Sequence, residues 1–323
     1  MTPLIERFRE RLPVTAATPV VSLGEGSTPL LAAPRLAAAL GLRELWLKWE
    51  ASNPTGSYKD RGMTVAVSRA LQAGAEAVIC ASTGNTAASA AAYAARAGLP
   101  ALVLCPKGAV TGPKVAQARM LGATVLEVRG DFDQALAAAQ ELARRGAHVL
   151  VNSLNADRRE GQKTAVFEIS EELGEAPDAF VIPYGGGGNT SAYAQGLREL
   201  ALETPIVSVE AVDRERTLAS AIRIRQPAHA EAVVEARAQV VSVTDTELVV
   251  AWTELARLEG LFCEPSSAAG LAAIRNGDVA GERLVVTITG HGLKDTESAS
   301  RYAPLPLEVD PDPDAIASAT QKR

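Results

Sequence analysis

Short apolar runs alternate with amphipathic stretches along the chain from Ala75 onward, and this alternation predicts its secondary structure. The runs Ala77–Cys80, Ala101–Cys105, Thr124–Val128, His148–Val151, Ala179–Ile182, Ile206–Val209, Gln239–Val243 and Leu284–Thr287 have the length and composition of buried strands. Between them, stretches such as Asp131–Arg145, Lys163–Leu173 and Asp245–Leu258 repeat their apolar residues at helical spacing. Strands and helices in this alternation predict βαβ units and a mainly parallel sheet. Ligands in such folds lie beyond the carboxyl ends of the strands, so the loops that leave strands are where chemistry is expected.

Composition narrows the class. A chain of 323 residues with 47% hydrophobic residues has apolar material for two domains. Its net charge of −6 and the lack of a basic patch exclude a dominant nucleic-acid surface. Met1 to Arg11 is charged, unlike a signal peptide, and the alanine-rich Ala87–Ala95 stretch is too short to span a bilayer. The three cysteines are an odd count without C-x-x-C spacing, and Cys80 and Cys105, each ending an apolar run, read as buried reduced thiols, which points to the cytoplasm. The segment from Pro304 is rich in prolines and acids and reads as a surface tail.

Four loops stand out. In Asn53-Pro54-Thr55-Gly56-Ser57-Tyr58-Lys59-Asp60-Arg61-Gly62, Asn-Pro and Gly56 make a turn, and Ser57 with Asp60 resembles a capping box. A helix follows with Met63, Ala66, Val67, Ala70 and Leu71 on one face and Gly74 at its end, so Lys59 falls in the first turn. That position disfavours a cation, which suits an amine needed neutral for Schiff-base chemistry; an ordinary exposed lysine is the plainer reading. Ala81-Ser82-Thr83-Gly84-Asn85-Thr86 follows a strand and precedes a helix. It has more polar side chains than an N-cap from Ser82 or Thr83 needs, and reads as a cradle for a carboxylate or other anion. The four glycines Gly185-Gly186-Gly187-Gly188, followed by Asn189 and Thr190, suit backbone wrapped around a phosphate better than a flexible surface turn. They form neither a Walker A loop nor a G-x-G-x-x-G fingerprint with its downstream acid. The fourth loop, Thr289-Gly290-His291-Gly292, leaves the last strand and sets the Thr289 hydroxyl at a sheet end. His291 there reads as structural, and no metal-ligand motif is present.

Together these loops resemble the threonine synthases of the fold-type II pyridoxal-phosphate enzyme family, the tryptophan synthase beta-like group. The matching stretches are E-G-S-T-P-L at 25–30, N-P-T-G-S-Y-K-D-R-G at 53–62, C-A-S-T-G-N-T at 80–86, V-N-S-L-N-A-D-R-R-E-G-Q-K-T at 151–164, F-C-E-P-S-S-A-A at 262–269 and T-G-H-G-L-K-D at 289–295. They run in family order over nearly the whole chain.

The resemblance implies a three-layer, two-domain α/β fold with mainly parallel sheets. Residues 1–49 and 151–323 would form a large cofactor-binding domain, and 50–150 a smaller substrate-gripping one. Pyridoxal 5'-phosphate is the implied cofactor. Lys59 would hold it through a Schiff base and act as acid and base, and Asn85 would bond its phenolic oxygen. Gly185, Gly186, Gly187, Gly188 and Asn189 would cradle its phosphate, and Thr289 would meet the pyridine nitrogen. Ser82, Thr83 and Thr86 would grip the substrate carboxylate, while Asn152, Ser153 and Arg158 would meet the phosphate of O-phospho-L-homoserine. The implied reaction turns that substrate and water into L-threonine and phosphate.

Three departures from the family pattern bear on the substrate. Gly186 stands where a side-chain amide is usual, the 108–114 segment is altered, and residues 206–217 read closer to serine/threonine dehydratases. The second functional reading is therefore a dehydratase or β-replacing enzyme acting on an O-activated amino acid. The expected partners are a small amino-acid substrate and a second copy of the chain, with no nucleic acid, membrane or metal.

Overall fold

The predicted alternation is realised as two separate sheets in the computed structural model, which describes residues 2–108 and 113–320. Its strands are β1 (Leu30–Ala32), β2 (Glu44–Trp49), β3 (Ala77–Ala81), β4 (Ala101–Pro106), β5 (Thr124–Val128), β6 (His148–Leu150), β7 (Ala179–Pro183), β8 (Ile206–Ala211), β9 (Gln239–Val243) and β10 (Arg283–Ile288). The helices up to the middle of the chain are α1 (Leu4–Arg7), α2 (Pro34–Leu40), α3 (Lys59–Gln72), α4 (Asn85–Ala97), α5 (Pro113–Met120), α6 (Phe132–Arg144) and α7 (Ala156–Leu173). After them come α8 (Gly188–Glu199), α9 (Ala230–Glu235), α10 (Asp245–Glu259), α11 (Ala269–Asn276), α12 (Thr296–Tyr302) and α13 (Pro313–Thr320).

The larger sheet has the order β1-β2-β10-β7-β8-β9, parallel except for β1 against β2. At its centre Val285 is paired with Trp46 on one side and Phe180 on the other. The smaller sheet, β5-β4-β3-β6, is parallel throughout. Helices α2, α10 and α11 cover one face of the larger sheet, and α7 and α8 the other, which gives three layers. The smaller sheet lies between α3 and α4 on one side and α6 on the other. The alanine stretch is the buried helix α4, whose Ala87, Ala88, Ala90, Ala91 and Ala94 pack without long side chains. No helix among the described residues is long and apolar enough to cross a membrane.

Two strands escape the sequence pattern. β1 is three residues long, and β2 reads Glu-Leu-Trp-Leu-Lys-Trp, whose charges suggest a surface segment. Yet β2 is an interior strand, because the buried Lys48 ammonium lies 3.0 Å from the Glu168 carboxylate of α7 and so has a counter-charge. Helix α7 likewise begins well before Lys163, at Ala156, where Asn155 caps it by accepting from the Arg158 N–H. The charged run 157–160 hides that start. Gly62 and Gly161 explain why α3 and α7 pack so tightly. A Cβ on Gly161 would stand 1.9 Å from the Arg61 carbonyl oxygen, and one on Gly62 2.5 Å from that of Arg158. Neither position admits a side chain.

The strands expected from the sequence, and the helices expected at Asp131–Arg145 and Asp245–Leu258, differ from those bounds only at their ends. The tail is exposed from Ala303 to Asp314, and α13 begins within it at Pro313. Of the altered 108–114 segment, residues 109–112 lie outside the described residues.

Candidate active site

The carboxyl ends of β3, β6, β7 and β10 face one cavity of ≈ 860 Å³. Every loop singled out in the sequence reaches it. Lys59, Ser82, Thr83, Asn85, Thr86, Asn152, Ser153, Gly185 to Asn189 and Thr289 all stand on its wall.

Lys59 opens α3, but not behind the capping box that the sequence suggests. The residue preceding the helix is Tyr58, and no side chain caps it. Ser57 instead bridges to Gly290, and the Tyr58 N–H donates to the Thr289 carbonyl at 3.0 Å, so the start of α3 is fastened to the end of β10. The Asp60 carboxylate faces the preceding turn. It accepts from the Thr55 N–H and hydroxyl, both at 2.7 Å, and from the Ser89 hydroxyl at 2.6 Å. Burial raises the Asp60 carboxyl to about 6 despite these donors. The Lys59 Nζ lies 2.6 Å from the Tyr58 hydroxyl.

The 82–86 loop also differs from a plain cap. Gly84, not Ser82 or Thr83, precedes α4, and the Ser82 hydroxyl accepts from the Gly84 N–H at 3.1 Å. Thr83 is exposed, and Ser82 and Thr86 are half-buried on the cavity wall. Asn85 is buried; its Nδ2 donates to Glu264 Oε1 at 2.9 Å, and its Oδ1 has no partner.

In the glycine loop, Gly187 has φ +83° and directly precedes α8. A Cβ on it would meet Val233 Cγ2 at 3.0 Å and the His229 carbonyl at 3.1 Å, and one on Gly185 would lie 3.0 Å from the Ala221 carbonyl. Bare backbone is therefore required at both. The residues that start α8 line the cavity, no side chain caps that helix, and the buried Asn189 Nδ2 is unpartnered. Across the cavity the Thr289 hydroxyl shares a hydrogen bond of 2.9 Å with Ser267. His291 is structural, as expected: its Nδ1 accepts from the Leu293 N–H, and its ring packs edge-on against Trp49 and Phe262.

Two substrate residues are placed differently from expectation. Asn152 borders the cavity, but its amide is engaged at both ends by Ala81, accepting from the N–H at 2.9 Å and donating to the carbonyl at 2.8 Å. It clamps the end of β3 rather than presenting an amide to a ligand. Arg158 is not on the wall at all. Its side chain is 1% exposed, Nη1 donates to the Val151 carbonyl at 3.2 Å, and Nε and Nη2 have no partner. Burial lowers its pKa, offset in part by the facing Tyr58, Cys80 and Asp60. The neighbouring Arg159 lines the cavity in its place. The sequence allows this segment to be a solvated helix start or a phosphate site; the close approach of α3 and α7 buries half of it.

The motif at 262–269 is legible in the sequence, but the roles of its members are not. Glu264 of that motif receives Asn85, lies 2.8 Å from the Lys114 Nζ, and is 1% exposed. Ser267 partners Thr289. Arg214 has no sequence signal either; it donates to the Gly185 and Ile224 carbonyls and braces the glycine loop. Other motif residues hold the wall from behind. Arg61 bridges Glu50 and Glu168, and its Nη2 donates to the Thr28 hydroxyl at 2.9 Å. No cluster among the described residues could hold a metal ion.

The family model described as "Pyridoxal-phosphate dependent enzyme" matches residues 21–290. A threonine synthase from Synechocystis sp. is 46% identical over 92% of this chain and 84% of its own. One from Mycobacterium leprae is 46% identical over 93% and 91%, and one from Halalkalibacterium halodurans 42% identical over 92% and 90%. Among solved structures, maize serine racemase superposes with a TM-score of 0.78 at 22% identity, covering 92% of this chain and 96% of that one. The threonine deaminase of T.th. gives 0.72 at 26% identity, covering 89% and 96%.

Proposed function

The chain belongs to the threonine synthases of the pyridoxal-phosphate dependent enzyme family, and from that premise we propose that it converts O-phospho-L-homoserine and water to L-threonine and phosphate. The observation that carries this reading is a single cavity ringed by Lys59, the glycine loop and the polar 82–86 loop, in a chain 42–46% identical to threonine synthases.

The cavity fits pyridoxal phosphate. Asn85 and Asn189 each leave a buried amide atom unpartnered, and the loop from Gly185 offers N–H groups where a Cβ would clash. Lys59, Asn85, Gly185 to Asn189 and Thr289 are the residues that would hold it. When bound, it supplies the electron sink for breaking bonds next to the amino group. The protein's residues do the rest. Lys59 Nζ takes a proton from the substrate Cα and one from Cβ, so that phosphate leaves Cγ with the bonding electrons, and it returns protons to Cγ and, after water has added at Cβ, to Cα. Ser82, Thr83 and Thr86 bind the carboxylate. Ser153 on the cavity wall, and Arg158 buried just behind it, are the residues that would meet the substrate phosphate once the wall yields, with Asn152 fixing the loop end beside them. A buried guanidinium with two free donors and no carboxylate at hand is costly, and an anion delivered beside it removes that cost.

The domain division 1–49 with 151–323 and 50–150, which follows the two sheets, belongs to this reading, as do a homodimer and a cytoplasmic location. The second reading, a dehydratase, is favoured by Gly186, which carries no amide toward a substrate phosphate. Phosphate release from O-phosphohomoserine, with threonine identified directly, tests the first; a 2-oxo acid and ammonia would establish the second. Lys59→Ala should abolish turnover and the visible absorption of the purified protein together.

A further inference from the structure

Among the described residues, Lys59 has no carboxylate within ion-pair distance, although it sits beside the buried acid Asp60. Its polar neighbour is the phenol of the residue before it. The Nζ lies 2.6 Å from the Tyr58 hydroxyl and 4.3 Å from the centroid of the same ring. Both residues line the cavity. The main chain of Tyr58 is also anchored: its N–H donates to the Thr289 carbonyl, and its carbonyl accepts from the Arg61 N–H at 3.2 Å.

We propose that Tyr58 is a positioning residue for Lys59, its hydroxyl holding the Nζ in one place whether the amine is neutral or protonated. The inference rests on the role given to Lys59 above. A carboxylate accepts only, so it would hold the ammonium far more strongly than the neutral amine and leave the amine's lone pair unengaged. A hydroxyl both donates and accepts. Before proton transfer the Tyr58 O–H donates to the Lys59 lone pair. When the substrate Cα–H bond breaks and an N–H bond forms on Lys59, the phenol turns to accept from the new ammonium while keeping its own proton. Only the direction of the hydrogen bond reverses, so the amine does not have to find a new position between proton removal and proton return. The ring beneath the Nζ attracts the cation in the second state. Such a partner acts on the step in which Lys59 moves a proton and leaves substrate affinity to the other walls of the cavity.

Tyr58→Phe keeps the ring and removes the hydroxyl. In the holoenzyme, exchange of the substrate α-proton in D2O, followed by NMR, should slow about three- to tenfold, the equivalent of one hydrogen bond. KM should stay within about twofold, with cofactor content and melting temperature unchanged. In cofactor-free protein, acetylation of Lys59 by acetic anhydride, read by mass spectrometry, should speed up by a similar factor, because the lone pair is no longer engaged. Tyr58→Leu, which also removes the ring, should slow exchange further. Wild-type exchange and acetylation rates in Tyr58→Phe would overturn the proposal. So would a loss of activity that only tracks lost cofactor and a lower melting temperature. Borohydride reduction of the wild-type holoenzyme separates the two levels: cofactor fixed to a residue other than Lys59 would overturn the assignment of Lys59 itself.

Discussion

The Lys114 ammonium, on the first turn of α5, lies 2.8 Å from the buried Glu264 carboxylate, whose other oxygen receives the Asn85 amide at 2.9 Å. The contact with Lys114 is a charge pair without hydrogen-bond alignment. One carboxylate thus joins a helix of the smaller-sheet half, a residue at the start of α4 and the loop that precedes α11. The pair engages the Asn85 Nδ2 and leaves its Oδ1 without a partner, on a residue that lines the cavity.

Glu264→Gln should keep the acceptor for Asn85 and lose the counter-charge of Lys114. The expected cost is about 1.5–3 kcal/mol, the worth of a hydrogen bond to a charged group. Adding Lys114→Met should recover most of it. Thermal unfolding of the single and double variants measures this, and equal melting temperatures for wild type and Glu264→Gln would show the pair to be idle.

The glycine loop should respond differently at adjacent positions. Gly187 has φ +83°, and a Cβ there meets Val233 and the His229 carbonyl. Gly187→Ala should therefore cost about 1–2 kcal/mol in backbone strain alone and weaken cofactor retention as well. At Gly186 a Cβ would find only Ile224 Cδ1, at 3.7 Å. Gly186→Asn should be tolerated, and its amide should improve kcat/KM for O-phosphohomoserine about tenfold. Equilibrium dialysis of the cofactor and steady-state kinetics of the two variants give the comparison.

Arg158 and Arg159 are separable by substitution. If Arg158 meets the substrate phosphate, Arg158→Met should lower kcat/KM for O-phosphohomoserine about ten- to hundredfold. Slow reaction with serine or threonine should hardly change. Since the guanidinium is buried without a counter-ion, the same variant should unfold at an equal or higher temperature. A larger loss in Arg159→Ala than in Arg158→Met would transfer the phosphate to the residue that the cavity wall already shows.

Glu168 sets the acid limit of the fold. Burial alone would raise its carboxyl, but Arg61 and Lys48 hold it down at about 2, from an ordinary 4.5. Between those values the unfolded chain binds the extra proton, so stability rises with pH from about 2 and is complete above 4.5. Urea unfolding should show that loss as pH falls from 4.5 toward about 2. Glu168→Gln should flatten the dependence and cost about 3–5 kcal/mol near neutral pH, with two buried cations left short of charge. A variant as acid-sensitive as the wild type would place the critical carboxylate elsewhere.

Local pattern and loop chemistry were enough to determine the parallel α/β class, the interior strands with purely apolar runs, Lys59 at a helix start, and the polar and glycine loops after strands. Each depends on residues near one another in the chain. Hydrophobic runs must be buried, and ligand loops in such folds leave the carboxyl ends of strands. Tertiary structure decided what depends on a distant partner. β2 was hidden because Lys48 finds its counter-charge far along the chain, at Glu168. The first turns of α7 were hidden because Gly62 and Gly161 let α3 come close enough to bury Arg158. The Ser57 and Asp60 pattern failed as a cap because the Ser57 backbone is bridged to Gly290, with its hydroxyl left unpartnered, and the Asp60 carboxylate is taken by Thr55. Glu264 gained its role only from Asn85 and Lys114, which the fold brings to it from two other segments. A charged or polar residue in a sequence shows that a partner is needed; only packing shows which one, and that choice sets whether the residue faces the cavity or holds it from behind.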